Sequence, residues 1–432
     1  MFYDLIVVGA GSGGIGAALT AAKEGMNVLW IEKEALLGGT GVHAYVTSWQ
    51  PAYSASRLAP TISQRLLENQ GGHFIAQEKT STGRPIFRHT DSASYSETLR
   101  RWIDPQKRLQ PPVFAYLPHA FDAVITDLSK EVGHIQLWRN AVFLHAIVEK
   151  NRGKHFIQAI EIQTLRGKER IQARWFIDAT ADIALARSAG CLWTIGRESQ
   201  EEYEEPSAPP RKEFRLNGWT LCFLIRPGQD QFTGEPGPGP ESDWAHIGEL
   251  PDGSYYVNLC FQLAGEVGQS MGKEQAREYL VGNIFKRWPR VREAYGLEGY
   301  GIYRFAPRIG VREGPRLVGC YVLTENDLLK GGFGRHHSDC IAFCDHAMDS
   351  HLPGEGCKEL PNGPFGVPFR CLQPLHVENL LIASRGASFS SLAASACRLQ
   401  RTMMELGEAA GYYVATGKIS VIKRPPYQGW QI

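Results

Sequence analysis

The sequence predicts an α/β protein. A parallel sheet is assembled from two separated stretches of chain and carries an antiparallel meander, and a second, α+β domain lies between those stretches. Three observations carry this reading: a short apolar strand runs into a glycine-rich turn and helix at residues 4–22, three strand-like runs follow one another at 142–178, and a buried strand and helix return at 377–411. The 432 residues are enough for two or three structural units. With 43% hydrophobic and 21% charged residues the composition lies near the globular average, which favours a large core over disorder. The 46 glycines and 25 prolines make about 16% of the chain against an average near 12%, so tight backbone turns are over-used.

The first such turn is Gly9-Ala10-Gly11-Ser12-Gly13-Gly14, placed between the strand at 4–8 and the helix through Ala17, Leu19 and Ala22. The spacing fits a Rossmann-like dinucleotide fingerprint. Gly9 allows the turn, Gly11 lets backbone approach a pyrophosphate, and Gly14 lets helix pack on strand. Ser12 and Gly13 open the helix, whose first amides meet the diphosphate charge. A second apolar run, 28–31, ends at Glu32, 18 residues after Gly14, where a carboxylate accepts bonds from ribose hydroxyls, with Lys33 beside it.

Six residues beyond that acid stands Gly38-Gly39-Thr40, a pair that an ordinary NAD domain does not need. At this point the chain resembles the FAD-dependent oxidoreductases of the glutathione reductase superfamily. The resemblance implies FAD, with Gly38, Gly39 and Thr40 passing close to its phosphate and ribitol. It continues in the meander at 142–149, 156–164 and 170–178, which begins at Val142 and closes on Phe176-Ile177-Asp178-Ala179-Thr180-Ala181-Asp182; Val142, Ala179 and Asp182 are expected at the cofactor, and Ala181 replaces the family's usual glycine. The run 377–386 and the helix expected at 394–411 are similar to the family's second FAD segment, in which Arg385, Arg398 and Gly407 match, so that Arg385 and Arg398 are expected at the cofactor. Histidines frequent between those arginines in such families are replaced by Phe389-Ser390-Ser391-Leu392-Ala393-Ala394. Finally, Ala306-Pro307-Arg308-Ile309-Gly310-Val311-Arg312-Glu313-Gly314-Pro315-Arg316 resembles a segment of the bacterial FAD-dependent oxidoreductase family distantly related to fumarate reductases. Residues 339–342, Asp349-Ser350-His351 and 367–371 continue that pattern.

The resemblance divides the chain into a first part of the FAD domain at 1–200, with an insertion at 46–115, a substrate or cap domain at 201–365, and the second part of the FAD domain at 366–432. The insertion reads either as a lid over the flavin or as a surface excursion. Residues 201–210 read as a linker, 234–240 as an exposed loop, and 270–295 as a helix that Pro289 should break or kink.

A bound flavin would carry the redox chemistry, leaving the protein to bind substrate and handle a proton. Arg308, Arg312 and Arg316 recur every four residues, a spacing that puts them on one face of a helix or of a strand, where guanidiniums converge on an anionic or polyhydroxylated ligand. Glu313 either acts with Arg308 and Arg312 in catalysis or pairs with an arginine to brace the fold. His43, just after the paired glycines and with Tyr45 behind it, is a candidate base, or a loop histidine bonded to backbone. His351 is a second candidate, better read as structural. His336 and His337 are not read as a metal site, because adjacent side chains diverge in regular structure, and no metal is expected. Cys397 reads as a small buried thiol.

The leading expectation is an FAD-dependent dehydrogenase or oxidase that moves a hydride between a small carboxylate or sugar-like substrate and the flavin, with a separate electron acceptor. A redox-neutral lyase or isomerase and an RNA-binding flavoprotein are the alternatives. The 46 basic and 45 acidic residues leave a formal charge of +1, which speaks against a nucleic-acid partner and against attachment to an acidic membrane. The run 287–292 mixes arginines with Trp288 but reads as a solvated helix end. No run reaches the roughly 18 apolar residues of a membrane span, and the glycine-broken start does not read as a signal peptide. Nine scattered cysteines without a Cys-x-x-Cys give neither a disulfide framework nor a cluster-binding spacing, so a reducing cytoplasm is expected. Nothing in the sequence specifies an oligomeric state.

Overall fold

A computed structural model of the chain describes residues 2–49, 56–90, 113–352 and 355–422. Its first sheet begins with strand β1 (Phe2–Val8), helix α1 (Ser12–Lys23) and strand β2 (Val28–Ile31). In space the parallel order is Ile135–Trp138, β2, β1, Gly167–Asp178 and Leu380–Ile382. β1 and β2 read as continuous apolar runs because both of their faces are covered, with Leu5, Ile6, Val7 and all of β2 buried. The strand from Gly167 to Asp178 serves twice. Residues 167–171 pair antiparallel with Lys154–Thr164, which pairs in turn with Val142–Asn151, while residues 172–178 lie beside β1. One long strand therefore joins the expected meander to the parallel sheet.

The second sheet has eight strands, ordered Tyr300–Phe305, Phe223–Pro227, Tyr255–Leu259, Ala245–Glu249, Pro85–His89, Gly72–Lys79, Val113–Tyr116 and Ser48–Trp49. Half of it thus comes from the stretch read as an insertion at 46–115, of which 50–55 and 91–112 lie outside the described residues. The described part is no surface excursion: Gly248 pairs with Phe87, and Ile75, Ile86 and Val113 share a core with Phe223, Ile225 and Val257. Helix Lys273–Ala294 covers that core with Ala276, Leu280, Ile284, Trp288 and Val291. Pro289 does not end it. A proline removes one hydrogen bond of the ladder, and here the buried Trp288 and Val291 on either side hold the last turn in place.

The late helix differs from its expected single span. It is two helices, Ser391–Cys397 and Gln400–Thr416, separated where Leu399 adopts an extended backbone. Ser390 caps the first by accepting from Ala393 N at 3.1 Å. The second packs backbone to backbone on α1. A Cβ added to Gly407 would stand 2.0 Å from Gly13 O, and one on Gly411 would stand 2.4 Å from Ala17 O. These pairings rise together along both helices, so the two run in the same direction.

Candidate functional site

Three loops meet at the carboxyl ends of the parallel strands, the edge at which open α/β sheets bind ligands. They are 9–11 after β1, 179–182 after Asp178, and 383–386 after Ile382, tied together by Ala179 N to Val8 O at 2.9 Å and Ala383 N to Asp178 O at 2.9 Å. The glycines of the first loop have separable roles. Gly9 has φ +104°, and a Cβ there would lie 2.7 Å from Ala179 O. On Gly14 it would lie 1.9 Å from Gly9 O, and on Gly13 1.7 Å from Ala383 O. Gly11 alone among them clears the protein, with Gly39 Cα its nearest atom at 4.0 Å. Protein packing does not demand glycine there, whereas a pyrophosphate lying against the backbone does. Gly38 and Gly39, with φ +114° and +54°, bring the second loop over the first, where Gly38 N donates to Ala10 O at 2.8 Å. Thr40 opens the short helix Thr40–His43 and is exposed, as is Lys33. This cradle of bare backbone and helix amides fits a dinucleotide diphosphate.

Glu32 ends β2 as expected but is 7% exposed and already accepts from Ala10 N at 2.6 Å and Glu34 N at 3.0 Å; burial raises its pKa against those bonds. It orders the turn, and its remaining lone pairs are what a ribose would use. Asp178 does similar work in the next loop, accepting from Thr180 N and Ala186 N, and burial pushes its pKa up to about 6. Asp182 is held by Arg385 Nη2 at 3.2 Å, and Arg385 also donates to Val311 O. Val142 heads the meander at 42% exposure.

Beyond the phosphate turn lies the N-terminus of helix Gln400–Thr416. Gln400 precedes Gly407 by seven residues, so this end projects roughly 10 Å past the level of Gly13. There Gln400 Nε2 donates to Val46 O at 2.7 Å and Tyr116 hydroxyl donates to Gln400 Oε1 at 2.8 Å. Gly41 is pressed against both side chains. Thr40–His43 thus sits at the amide ends of two helices, which favours electron-rich groups.

The arginines expected to converge do not. Residues 308–316 form neither one helix nor one strand: Gly310–Val311 pairs with Trp219–Thr220, Arg316–Leu317 pairs with Trp193–Thr194, and Gly314-Pro315 redirects the chain between them. Arg308 is 62% exposed and bridges Glu34 at 2.9 Å. Arg316 is 1% exposed and spans Glu313, Glu198, Gly196 O and Phe389 O. Glu313 also accepts from Asn217 N at 3.0 Å and Ser391 Oγ at 2.8 Å. With every oxygen engaged it is a structural tie rather than a free base. His43 likewise bonds Leu36 O through Nε2 at 2.9 Å, the loop-histidine arrangement, and Tyr45 is buried in the second core.

Arg312 instead lies close enough to Arg398 for their buried charges to oppose each other. Arg312 Nη1 donates to Gly218 O at 2.8 Å and Thr220 Oγ1 at 2.5 Å, both neutral acceptors. Arg398 has a side chain 10% exposed, lies 3.6 Å from Asp349 Oδ2, and keeps Nη1 buried without a hydrogen-bond partner. Burial, reinforced by Arg312, lowers its pKa to about 10. The same Asp349 oxygen takes His351 Nε2 at 2.7 Å. His351 has φ +52°, a rare backbone for a bulky residue, and burial together with Arg312 pushes its pKa down to about 3 despite the carboxylate. One carboxylate, Asp349, therefore faces the Arg398 guanidinium and the His351 imidazole, with the buried charge of Arg312 felt by both Arg398 and His351. In the sequence Asp349 is visible only as part of Asp349-Ser350-His351, with nothing to mark its role, and Gln400 lies in no local pattern that marks it.

His336 and His337 depart from expectation too. Gly331, Gly332, Phe333 and Gly334 all have positive φ, so the alternation of regular structure does not apply, and both imidazoles approach Asp327. Cys397 is a buried thiol whose pKa burial raises. Among the described residues no helix is long and apolar enough to cross a membrane.

A family model described as FAD dependent oxidoreductase matches residues 4–419. The soluble pyridine nucleotide transhydrogenase of Vibrio parahaemolyticus serotype O3:K6 is 51% identical over 108 residues, 25% of this chain and 20% of that protein. Digeranylgeranylglycerophospholipid reductase 2 of Methanococcoides burtonii is 67% identical over 36 residues, 8% of this chain and 9% of that protein. The chain spans a fifth or less of the length of these curated relatives. Among solved structures, the flavin-dependent brominase Bmp2 triple mutant aligns over 99% of this chain and 83% of its own at TM-score 0.50 and 10% identity. A geranylgeranyl bacteriochlorophyll reductase-like protein from Thermoplasma acidophilum aligns over 96% of this chain and 78% of its own at TM-score 0.47 and 14% identity. The likeness to the brominase is one of fold alone. These matches do not support the more distant tie to fumarate reductases.

Proposed function

Because this chain belongs to the family of FAD-dependent oxidoreductases, with FAD as its cofactor, we propose that its substrate is a small carboxylate or acidic sugar derivative bound by Arg312 and Arg398. Residues Gly9 to Gly14, Gly38, Gly39 and Glu32 would hold the cofactor. Bound FAD supplies two-electron chemistry, exchanging a hydride with a substrate carbon.

The observation that carries the reading is the buried excess of positive charge. Among the described residues Asp349 is the carboxylate that Arg398 approaches, at 3.6 Å, Arg312 is bonded to neutral acceptors, and Arg398 Nη1 has no hydrogen-bond partner. A desolvated cation lacking an acceptor is costly, and a ligand carboxylate relieves it with charge-assisted bonds. Arg398 stands two residues before helix Gln400–Thr416, whose N-terminus projects past the phosphate turn, which favours a counter-ion other than the diphosphate.

The proton is assigned to His351. Its Nε2 contact with Asp349 places a hydrogen on that nitrogen and leaves Nδ1 as the acceptor, the tautomer following from the contact. Arg312 and Arg398 orient the carboxylate, whose charge offsets the guanidiniums that help to depress the His351 pKa; Asp349 positions the imidazole, and His351 Nδ1 then takes the hydroxyl proton of a substrate being oxidised. The test is anaerobic addition of small 2-hydroxy acids and sugar acids to the yellow protein. Bleaching of the flavin band with formation of the matching oxo product supports the reading; conversion of substrate without bleaching or an acceptor points to the redox-neutral alternative.

A further inference from the structure

Asp327 belongs to helix Glu325–Lys330 and is 2% exposed. Its oxygens accept from Tyr321 hydroxyl at 2.9 and 3.0 Å, and Oδ2 also takes Thr324 N at 3.1 Å, completing the helix cap. Oδ1 faces two imidazoles, with His336 Nε2 at 3.3 Å and His337 Nε2 at 3.6 Å. The chain returns to this helix through Gly331, Gly332, Phe333 and Gly334, at φ +56°, +61°, +56° and +61°, and that reversal turns adjacent histidines to one point, their ring centroids 4.1 Å apart.

Two independent observations indicate a ligand. First, the three donor atoms lie within 4.8 Å of one another, and the two imidazole nitrogens stand 3.3 and 3.6 Å from Asp327 Oδ1, the first also within hydrogen-bond reach, separations that donors around one metal also have. Bonds of about 2.1 Å at a tetrahedral angle hold donors roughly 3.4 Å apart. Second, His337 Nε2 is buried, its side chain 4% exposed, and it has no hydrogen-bond partner. A buried imidazole nitrogen is rarely left unsatisfied.

We propose that Asp327, His336 and His337 form a site for one divalent transition-metal ion of the zinc class, with water completing the coordination. Nitrogen and carboxylate donors suit such an ion, and Tyr321, bonded to the ligating carboxylate, holds it in orientation. His336 is 31% exposed and provides the entry path. The ion would staple helix Glu325–Lys330 to the turn at 331–337, whose Gly334 lies against Gly366 of strand Phe365–Pro368.

The test uses the full-length, FAD-loaded protein, stripped with a chelator, dialysed against zinc, and assayed for bound metal by plasma mass spectrometry and for thermal midpoint. Wild type is expected to hold one zinc per chain and to gain stability with zinc by mass action. His336→Ala, at a partly exposed position that does not endanger folding, is expected to bind at least tenfold more weakly and to lose the zinc-dependent rise in midpoint. His337→Ala should do the same if it folds. Equal zinc content and equal midpoint shifts in wild type and His336→Ala, or no zinc in wild type, would overturn the proposal.

Discussion

Gly11 and Gly39 belong to different loops, yet the Cβ that Gly39 lacks would stand 2.8 Å from the Cα of Gly11. The two backbones close one wall of the dinucleotide cradle without a side chain between them. A Cβ on Gly11 meets nothing nearer than 4.0 Å. Gly11→Ala should therefore leave the apoprotein's melting temperature within about 2 °C of wild type, since surface-like substitutions stay within about 0.5 kcal/mol. FAD affinity, followed by quenching of flavin fluorescence, should fall at least tenfold. A variant that loses stability and flavin together would place Gly11 in the packing instead.

Arg316 is enclosed with Glu313 and Glu198 at exposures of 1%, 3% and 2%. Removing the cation leaves two buried carboxylates facing each other. Arg316→Met should cost about 3–5 kcal/mol in urea unfolding, whereas Arg308→Ala, which breaks only an exposed bridge to Glu34, should cost less than about 1 kcal/mol.

His351 gives the stability a pH dependence of definite sign. Its folded pKa is pushed down to about 3 by burial and by Arg312, below the unfolded value near 6.5. The unfolded state thus binds the extra proton between those limits, so the contribution is whole above pH 6.5 and is lost as pH falls toward 3. With the side chain 23% exposed, solvent trims the effect to about 1–2 kcal/mol between pH 7 and pH 5. Unfolding curves at the two pH values should show that loss in wild type and a smaller one in His351→Gln.

What the sequence disclosed and what it withheld follow one physical division. Gly9, Gly11, Gly14 and Glu32 were legible because a tight strand-to-helix turn fixes their spacing within one stretch of chain. The meander was legible because the alternation in 170–178 continues into the strand beside β1. The arginines were misjudged because equal spacing implies a shared face only within one regular element, and Gly314-Pro315 breaks that element. The gap at Arg398 and Leu399 has no glycine or proline to announce it; Leu399 turns extended there, and Arg398 faces Asp349 within the field of Arg312. For His336 and His337, one of the four positive-φ residues that reverse the chain is Phe333, which no turn rule anticipates.

The central claim is that Arg312 and Arg398 bind a substrate carboxylate beside the flavin. It is tested most directly by titrating the oxidised holoprotein with small carboxylates and with their uncharged amides while recording the flavin absorption spectrum. Wild type should show a saturable spectral change with carboxylates only. Arg312→Ala and Arg398→Gln should each weaken that binding at least tenfold while retaining FAD, the cost of removing one charge-assisted partner. Amides that bind as well as carboxylates, or variants that bind carboxylates as wild type does, would contradict the account.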